Sequence, residues 1–193
     1  MKSAILCGLV LGCSAPGAWA ATSTYDLNKD HTDVSFRISH AGFTLKHGEF
    51  ADISGTLQLD SDHLEASSVD VSVVAASIWT NHAKRDQVLQ GTDFLDGAHF
   101  PALHFVSTHV VQTAPGKLDV TGTLTLRGVS RPLVLHASVN RIGISPFGNT
   151  PAAGFTATGT LKRSDYGMDA MIPMIGDEVQ IDIDAEFKRS SGT

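Results

Sequence analysis

Nine histidines and twenty carboxylates in 193 residues invite a search for metal and acid–base chemistry. The spacing supplies neither. His31, His63, His82, His99, His109 and His136 stand singly, without partners at the separations that build a zinc site. His104 and His109 are expected on opposite faces of one strand. His40 and His47 flank Ala41-Gly42-Phe43-Thr44-Leu45 at a strand end, where an imidazole meets either a ligand's polar group or solvent. Both cysteines, Cys7 and Cys13, fall in the first twenty residues, so no thiol nucleophile is expected in the folded domain. There is no Gly-x-Ser-x-Gly elbow, phosphate-binding glycine loop or His-Glu-x-x-His motif. An enzyme would have to use Asp93, Asp96 or a histidine as acid or base on a bound substrate. That is one alternative to a binding protein; a structural domain with a filled core is another.

The elements around these residues read as strands. In Asp33-Val34-Ser35-Phe36-Arg37-Ile38-Ser39-His40 the apolar side chains fall at every second position, and the run 178–187 repeats the pattern. Eight such segments are expected, at 33–40, 48–59, 67–78, 102–110, 117–126, 131–141, 153–163 and 178–188. Ala114-Pro115-Gly116-Lys117 and Arg127-Gly128-Val129-Ser130 reverse the chain within a few positions, as antiparallel neighbours require. A short helix is expected over 80–91, capped by Asn81 and ended by a left-handed Gly91. An all-β, eight-stranded antiparallel up-and-down barrel follows, in preference to a sandwich.

Alternation places Phe36, Ile38, Leu57, Val71, Phe105, Leu124, Leu135, Phe155 and Ile181 on the inward face. Counting by twos from Val69 brings Trp79 to the same face. Phe43, Phe94, Leu95, Met168 and Met171 add apolar side chains from the connections, and loop 168–176 is the most apolar in the chain. Its adaptable methionines suit either the cover of a pocket mouth or a plug over the barrel end. Such an interior fits a hydrocarbon, but alternation reports burial and not whether the buried space is occupied. Gly55, Gly122 and Gly159 share the inward phase, where they either open the lumen or let a curved sheet bend.

Residues 1–20 read as an export signal, with Lys2, a short apolar core and Ala18-Trp19-Ala20 as the cleavage site. Residues 21–193 then form one domain. Val10-Leu11-Gly12-Cys13 is a poorer fit to a lipoprotein signal, which would tether that domain to a membrane. Without Lys2 the formal charge moves from −6 to −7, and the remaining basic residues are scattered, which argues against nucleic acid. No stretch is long and apolar enough to be read as a transmembrane helix.

Several motifs in order carry a family resemblance. They are His31-Thr32-Asp33-Val34-Ser35-Phe36 leading to His40, Gly48-Glu49-Phe50, Arg85-Asp86, Asp93-Phe94-Leu95-Asp96 and Phe100-Pro101. Gly122-Thr123-Leu124-Thr125-Leu126-Arg127-Gly128-Val129-Ser130-Arg131-Pro132, Arg163-Ser164-Asp165-Tyr166-Gly167-Met168 and Gly176-Asp177-Glu178-Val179 complete them. The chain resembles the YceI-like, polyisoprenoid-binding family of exported bacterial proteins. The resemblance implies a lipocalin-like barrel with a long apolar pocket for a polyisoprenoid, isoprenoid quinone or fatty-acid-like lipid, and a periplasmic or secreted location. The expectation is therefore a non-enzymatic periplasmic carrier or scavenger that needs no cofactor beyond its lipid. His40, Arg85, Arg163 and Asp165 are the candidates for head-group contact, although Arg163 and Asp165 could instead pair with each other as a structural clasp. Transient membrane contact and a homodimer are compatible with this expectation.

Overall fold

The computed structural model describes residues 22–190, so the expected export signal and Cys13 lie outside the described residues. The strands are β1 (Ser23–Leu27), β2 (Asp33–His40), β3 (Thr44–Phe50), β4 (Ile53–Leu59), β5 (Ser68–Val74) and β6 (Ile78–Trp79). They continue as β7 (Ala102–Ala114), β8 (Lys117–Leu126), β9 (Val129–Ile144), β10 (Pro151–Lys162) and β11 (Ile175–Arg189), with one α-helix, α1 (Ala83–Leu89). β1 with β2, β3 with β4, and β5 with β6 are halves of three bent staves. The sheet therefore has eight staves in sequence order, each antiparallel to the next. β1 pairs with both β4 and β11, so the sheet closes on itself and leaves no edge along that seam.

The eight-stranded meander agrees with the alternation, and the departures arise where the period of two is interrupted. β1 was not anticipated, because only Tyr25 and Leu27 alternate in its five residues. The expected segment 48–59 is broken at Ala51 and Asp52, and the inward set moves from even to odd numbers there. In β7 a bulge between Ser107 and His109 adds one residue. Val110 is thereby turned inward, and His104 and His109 share the outer face instead of opposing each other. The helix begins later than expected. Asn81 has a positive φ of 57°, and the cap is His82, whose imidazole accepts from the Arg85 amide at 3.2 Å. Gln90, with right-handed geometry, ends the helix in place of Gly91.

Tight turns join the staves. Arg127 and Gly128 form a two-residue loop between β8 and β9 with φ of 51° and 70°, the left-handed pair that matches the twist of a hairpin. The inward glycines are not empty space. A Cβ on Gly122 would lie 2.3 Å from Cζ of Phe105, and one on Gly48 would lie 2.4 Å from Cζ of Phe36. Each glycine lets a ring from the adjacent strand lie flat against the wall, the device that stabilises strongly curved sheets. Gly159 accommodates Leu135, and Gly55 accommodates Val71 and the Asp70 carbonyl in the same way.

Candidate functional site: an apolar cavity with a polar mouth

The barrel encloses a cavity of about 410 Å³ that runs along its interior. Val34, Phe36 and Ile38 of β2 and Val179, Ile181 and Ile183 of β11 point into it yet remain only half-buried. Their alternation excludes an outward position, so the surface they keep is the surface of the cavity. This separates a hollow barrel from a filled one. No large side chain among the described residues is completely buried, which a solid core of this size would contradict.

The base is sealed. Tyr25, Leu57, Leu59, Ala153 and Phe187 form a buried cluster, with Leu64 from the β4–β5 connection packed against it. Phe155 meets Phe187 edge-on, ring centroids 6.2 Å apart at 75°, a favoured aromatic geometry. The other end carries α1, the 41–43 turn and loop 168–174, and here polar side chains join the lining. His40, Lys46, Thr80 and Arg85 border the cavity together with Met171 and Val88.

Arg163 holds the loop at this mouth in shape. It is only 3% exposed. Its Nε donates to the Gly176 carbonyl at 2.8 Å, Nη2 donates to Ala170 and Ile175 at 2.8 and 3.0 Å, and Nη1 donates to Met168. The guanidinium carbon lies 5.9 Å from the centroid of the Phe94 ring. Burial pushes its pKa down, while the charges of Asp177 and Asp169 oppose that shift. Beside it, the Ser164 backbone N–H donates to Asp177 Oδ1 at 2.9 Å, and the Ser164 hydroxyl donates to Oδ2 at 2.8 Å. The backbone hydrogen bond is the main reason that Asp177 sits below the usual carboxylate range.

Most of the residues expected to face the lumen do so. Phe36, Ile38, Leu57, Val71, Phe94, Leu95, Phe105, Leu124, Leu135, Phe155, Met168, Met171 and Ile181 all border the cavity. Met168 and Met171 divide the two roles open to their loop: Met168 is buried in the cluster with Leu95 and Tyr166, whereas Met171 is exposed at the mouth. His40 and Arg85 border the mouth as well.

Four placements require correction. Trp79 is 50% exposed and outside the cavity, because the 3₁₀ turn Ala75–Ser77 breaks the alternation and makes Ile78 the inward residue. Phe43 is 89% exposed at the tip of the turn begun by Ala41 and Gly42, where a strand's period no longer applies. Asp165 is exposed and does not border the cavity. The Arg163–Asp165 clasp is replaced by the four carbonyls that Arg163 binds, while the Asp165 carbonyl accepts from Arg131 Nε at 3.3 Å. Lys46 was missed. Its register opposite inward-facing Ile38 is the signal that finds it, but only once the β2–β3 pairing is known.

Chemistry between side chains is sparse in this interior. Among the described residues no Asp or Glu borders the cavity, and Asp96 instead meets His99 at 2.9 Å. Among the described residues, no group of three or more His, Cys, Asp or Glu is placed to hold a metal ion. No helix among them is long and apolar enough to cross a membrane.

A closed, hollow, apolar up-and-down barrel defines a class of β-proteins whose interior is a ligand-sized space. Residues 25–187 match the YceI-like domain, and the chain belongs to that family. It is 41% identical over 186 residues to the UPF0312 protein of Pseudomonas savastanoi pv. phaseolicola, covering 95% of each chain. Burkholderia cenocepacia BcnA has the same fold, with a TM-score of 0.76 at 21% identity over 83% of this chain and 98% of that one. A polyisoprenoid binding domain from Saccharophagus degradans, implicated in plant cell wall breakdown, aligns with a TM-score of 0.64 at 17% identity, covering 88% and 99% of the two chains.

Proposed function

We propose that this protein binds and carries an apolar lipid, with a polyisoprenoid, isoprenoid quinone or fatty acyl tail in the cavity, and performs no catalysis. The observation that carries this reading is the apolar cavity of about 410 Å³, bordered by His40, Lys46, Thr80 and Arg85 at its mouth. At about 0.8 kcal/mol per buried methylene, ten carbons supply about 8 kcal/mol gross, enough to exceed the low estimates of the association cost. Shape and length then select the tail more than any single contact does. The polyisoprenoid binding described for the Saccharophagus domain supports the choice of tail. The absence of a carboxylate from the lining disfavours the acid–base alternative based on Asp93 or Asp96.

The place of action in this proposal is the periplasm, supported by the export signal read in residues 1–20. Phe43, Leu45, Met171, Ile172 and Met174 are exposed on the 41–43 turn and the facing loop, and the Ala41 amide donates to the Met174 carbonyl at 2.6 Å. This apolar rim continues the wall of the cavity, so transient contact with a bilayer gives a tail a dry route in and out.

Native mass spectrometry of the protein purified from its own periplasm tests the reading. One lipid of prenyl or acyl mass per chain is expected. A chain that carries no lipid and takes up none when prenyl and acyl lipids are offered overturns it. The same spectra report whether the chain is a monomer or a homodimer.

A further inference from the structure

The chain as a whole is acidic, with 20 Asp and Glu against 14 Lys and Arg, yet among the described residues the cavity is bordered by cations and by no Asp or Glu. Lys46, Arg85 and Arg163 all border it. Arg163 is committed to four backbone carbonyls, which leaves Lys46 and Arg85 as the cations with capacity to spare. Lys46 lies opposite Ile38 in the β2–β3 register, so its side chain shares the inward face. It is half-buried and has no carboxylate within 4.0 Å among the described residues.

Arg85 is brought to the same end of β3. Two positions beyond Lys46 on the inward face, a Cβ on Gly48 would lie 2.8 Å from the Thr80 methyl. Arg85 is anchored to that threonine, with Nε donating to Oγ1 at 2.7 Å and Nη2 to the carbonyl at 2.6 Å. Its Nη1 has no hydrogen-bond partner among the described residues. Thr80 Oγ1 in turn donates to Asp86 Oδ1 at 2.5 Å, so the bracket that presents Arg85 is itself fixed.

We propose that the bound lipid carries an oxyanion head, a carboxylate or a phosphate, received at this mouth by Lys46 with Arg85 beside it. The inference rests on the cavity being the lipid site and specifies the class of lipid. A half-desolvated ammonium without a counter-charge is costly, and an oxyanion supplies both the charge and the hydrogen-bond acceptor. A neutral alcohol supplies no charge. The head stays at the rim while the apolar tail fills the lumen, so one amphiphile meets both halves of the site.

The experiment titrates delipidated protein calorimetrically with matched pairs, dodecanoate against dodecanol and farnesyl phosphate against farnesol. In at least one pair the anion is expected to bind about tenfold more tightly than its alcohol, a preference that falls as salt is raised. Whether that preference appears in the first pair or the second distinguishes a carboxylate from a phosphate. Lys46→Met should bring the ratio toward one by weakening the anion more than the alcohol, and Lys46→Glu should reverse it. Equal affinity for anion and alcohol in both pairs of the unmodified protein overturns the oxyanion assignment and leaves the lipid-binding cavity standing. Failure of all four compounds to bind removes the cavity reading itself. The comparison in the unmodified protein decides the matter even if a Lys46 variant does not fold.

Discussion

The base and the mouth of this barrel are built from the same alternating strands, yet at the base the cavity wall is tightly packed and toward the mouth it is loosely packed. At the base, Tyr25, Leu59 and Phe187 are buried against one another and against Leu64. Toward the mouth, Phe36 and Phe50 keep their rings 5.9 Å apart at 45° and are only half-buried. The inward phenylalanines look identical in an alternating pattern. What differs is whether a connection descends to fill the space between the walls. Leu64 does so at the base, whereas at the mouth the 41–43 turn and loop 168–174 border the opening. Stability should therefore reside below and ligand capacity above.

The largest expected effects form a crossed pair. Phe187→Ala, at a residue 4% exposed, removes a packed ring and should cost about 3–5 kcal/mol in denaturant unfolding. Phe187 also borders the far end of the cavity, so lipid affinity should change, but by less than with Phe36→Asp, at temperatures where the variant is folded. Phe36→Asp places a charge on the wall of the apolar cavity and should weaken lipid binding by about a hundredfold or more. Its cost in stability should be smaller than that of Phe187→Ala, since Phe36 already borders open space. If each substitution damages both properties equally, base and mouth are not separate regions.

A smaller effect is expected at the rim. Met171→Ser with Met174→Ser alters two exposed side chains and should shift unfolding by no more than about 1 kcal/mol. Lipid retention, measured as the rate of transfer to acceptor vesicles, should nevertheless change clearly. A large loss of stability with unchanged retention would make the loop a plug and not a cover.

The acid response of the mouth scaffold should be smaller again. Hydrogen bonds from Ser164 hold the Asp177 pKa below its unfolded value, so their contribution is complete above the unfolded pKa of about 3.9 and is lost as pH falls through the folded one. Asp177→Asn should be less stable than the unmodified protein at pH 7, and the two curves should converge in strong acid. A difference that stays constant across that window would mean that the carboxylate charge contributes nothing to holding the loop.

How much of this was legible in the sequence follows from what a period of two can report. It locates the staves and the inward wall, so Val34, Phe36 and Ile38 were assigned correctly from their spacing alone. It cannot report a one-residue interruption: the bulge in β7 and the turn at Ala75–Ser77 each reversed the residues that follow. It also cannot report pairing, which is why the spacing passes over Lys46 and leaves Arg163, prominent within a motif, open to ligand contact or to a clasp with Asp165. Arg163 borders the cavity, but its donors go to the backbone of its own loop and strand and not to Asp165. Whether the interior was full or empty depended on Leu64 and loop 168–174, connections whose path no alternation encodes.

The smallest expected effect is a silence, and it tests the corrected wall most sharply. Trp79 pairs with Glu49 in the β3–β6 register and shares its outer face, whereas Ile78 pairs with Phe50 and faces the cavity. The only other tryptophan is Trp19, inside the expected export signal. A lipid entering the cavity changes the surroundings of Phe36 and Phe50 but does not touch the outward indole, so the emission of Trp79 should keep its wavelength and intensity through a titration that calorimetry shows to saturate. Moving the indole to the inner wall, with Phe36→Trp and Trp79→Phe together, should restore a saturable response at one lipid per chain. Quenching of Trp79 in the unmodified protein at that stoichiometry would return the residue to the lumen and show that the turn at Ala75–Ser77 does not reverse the strand.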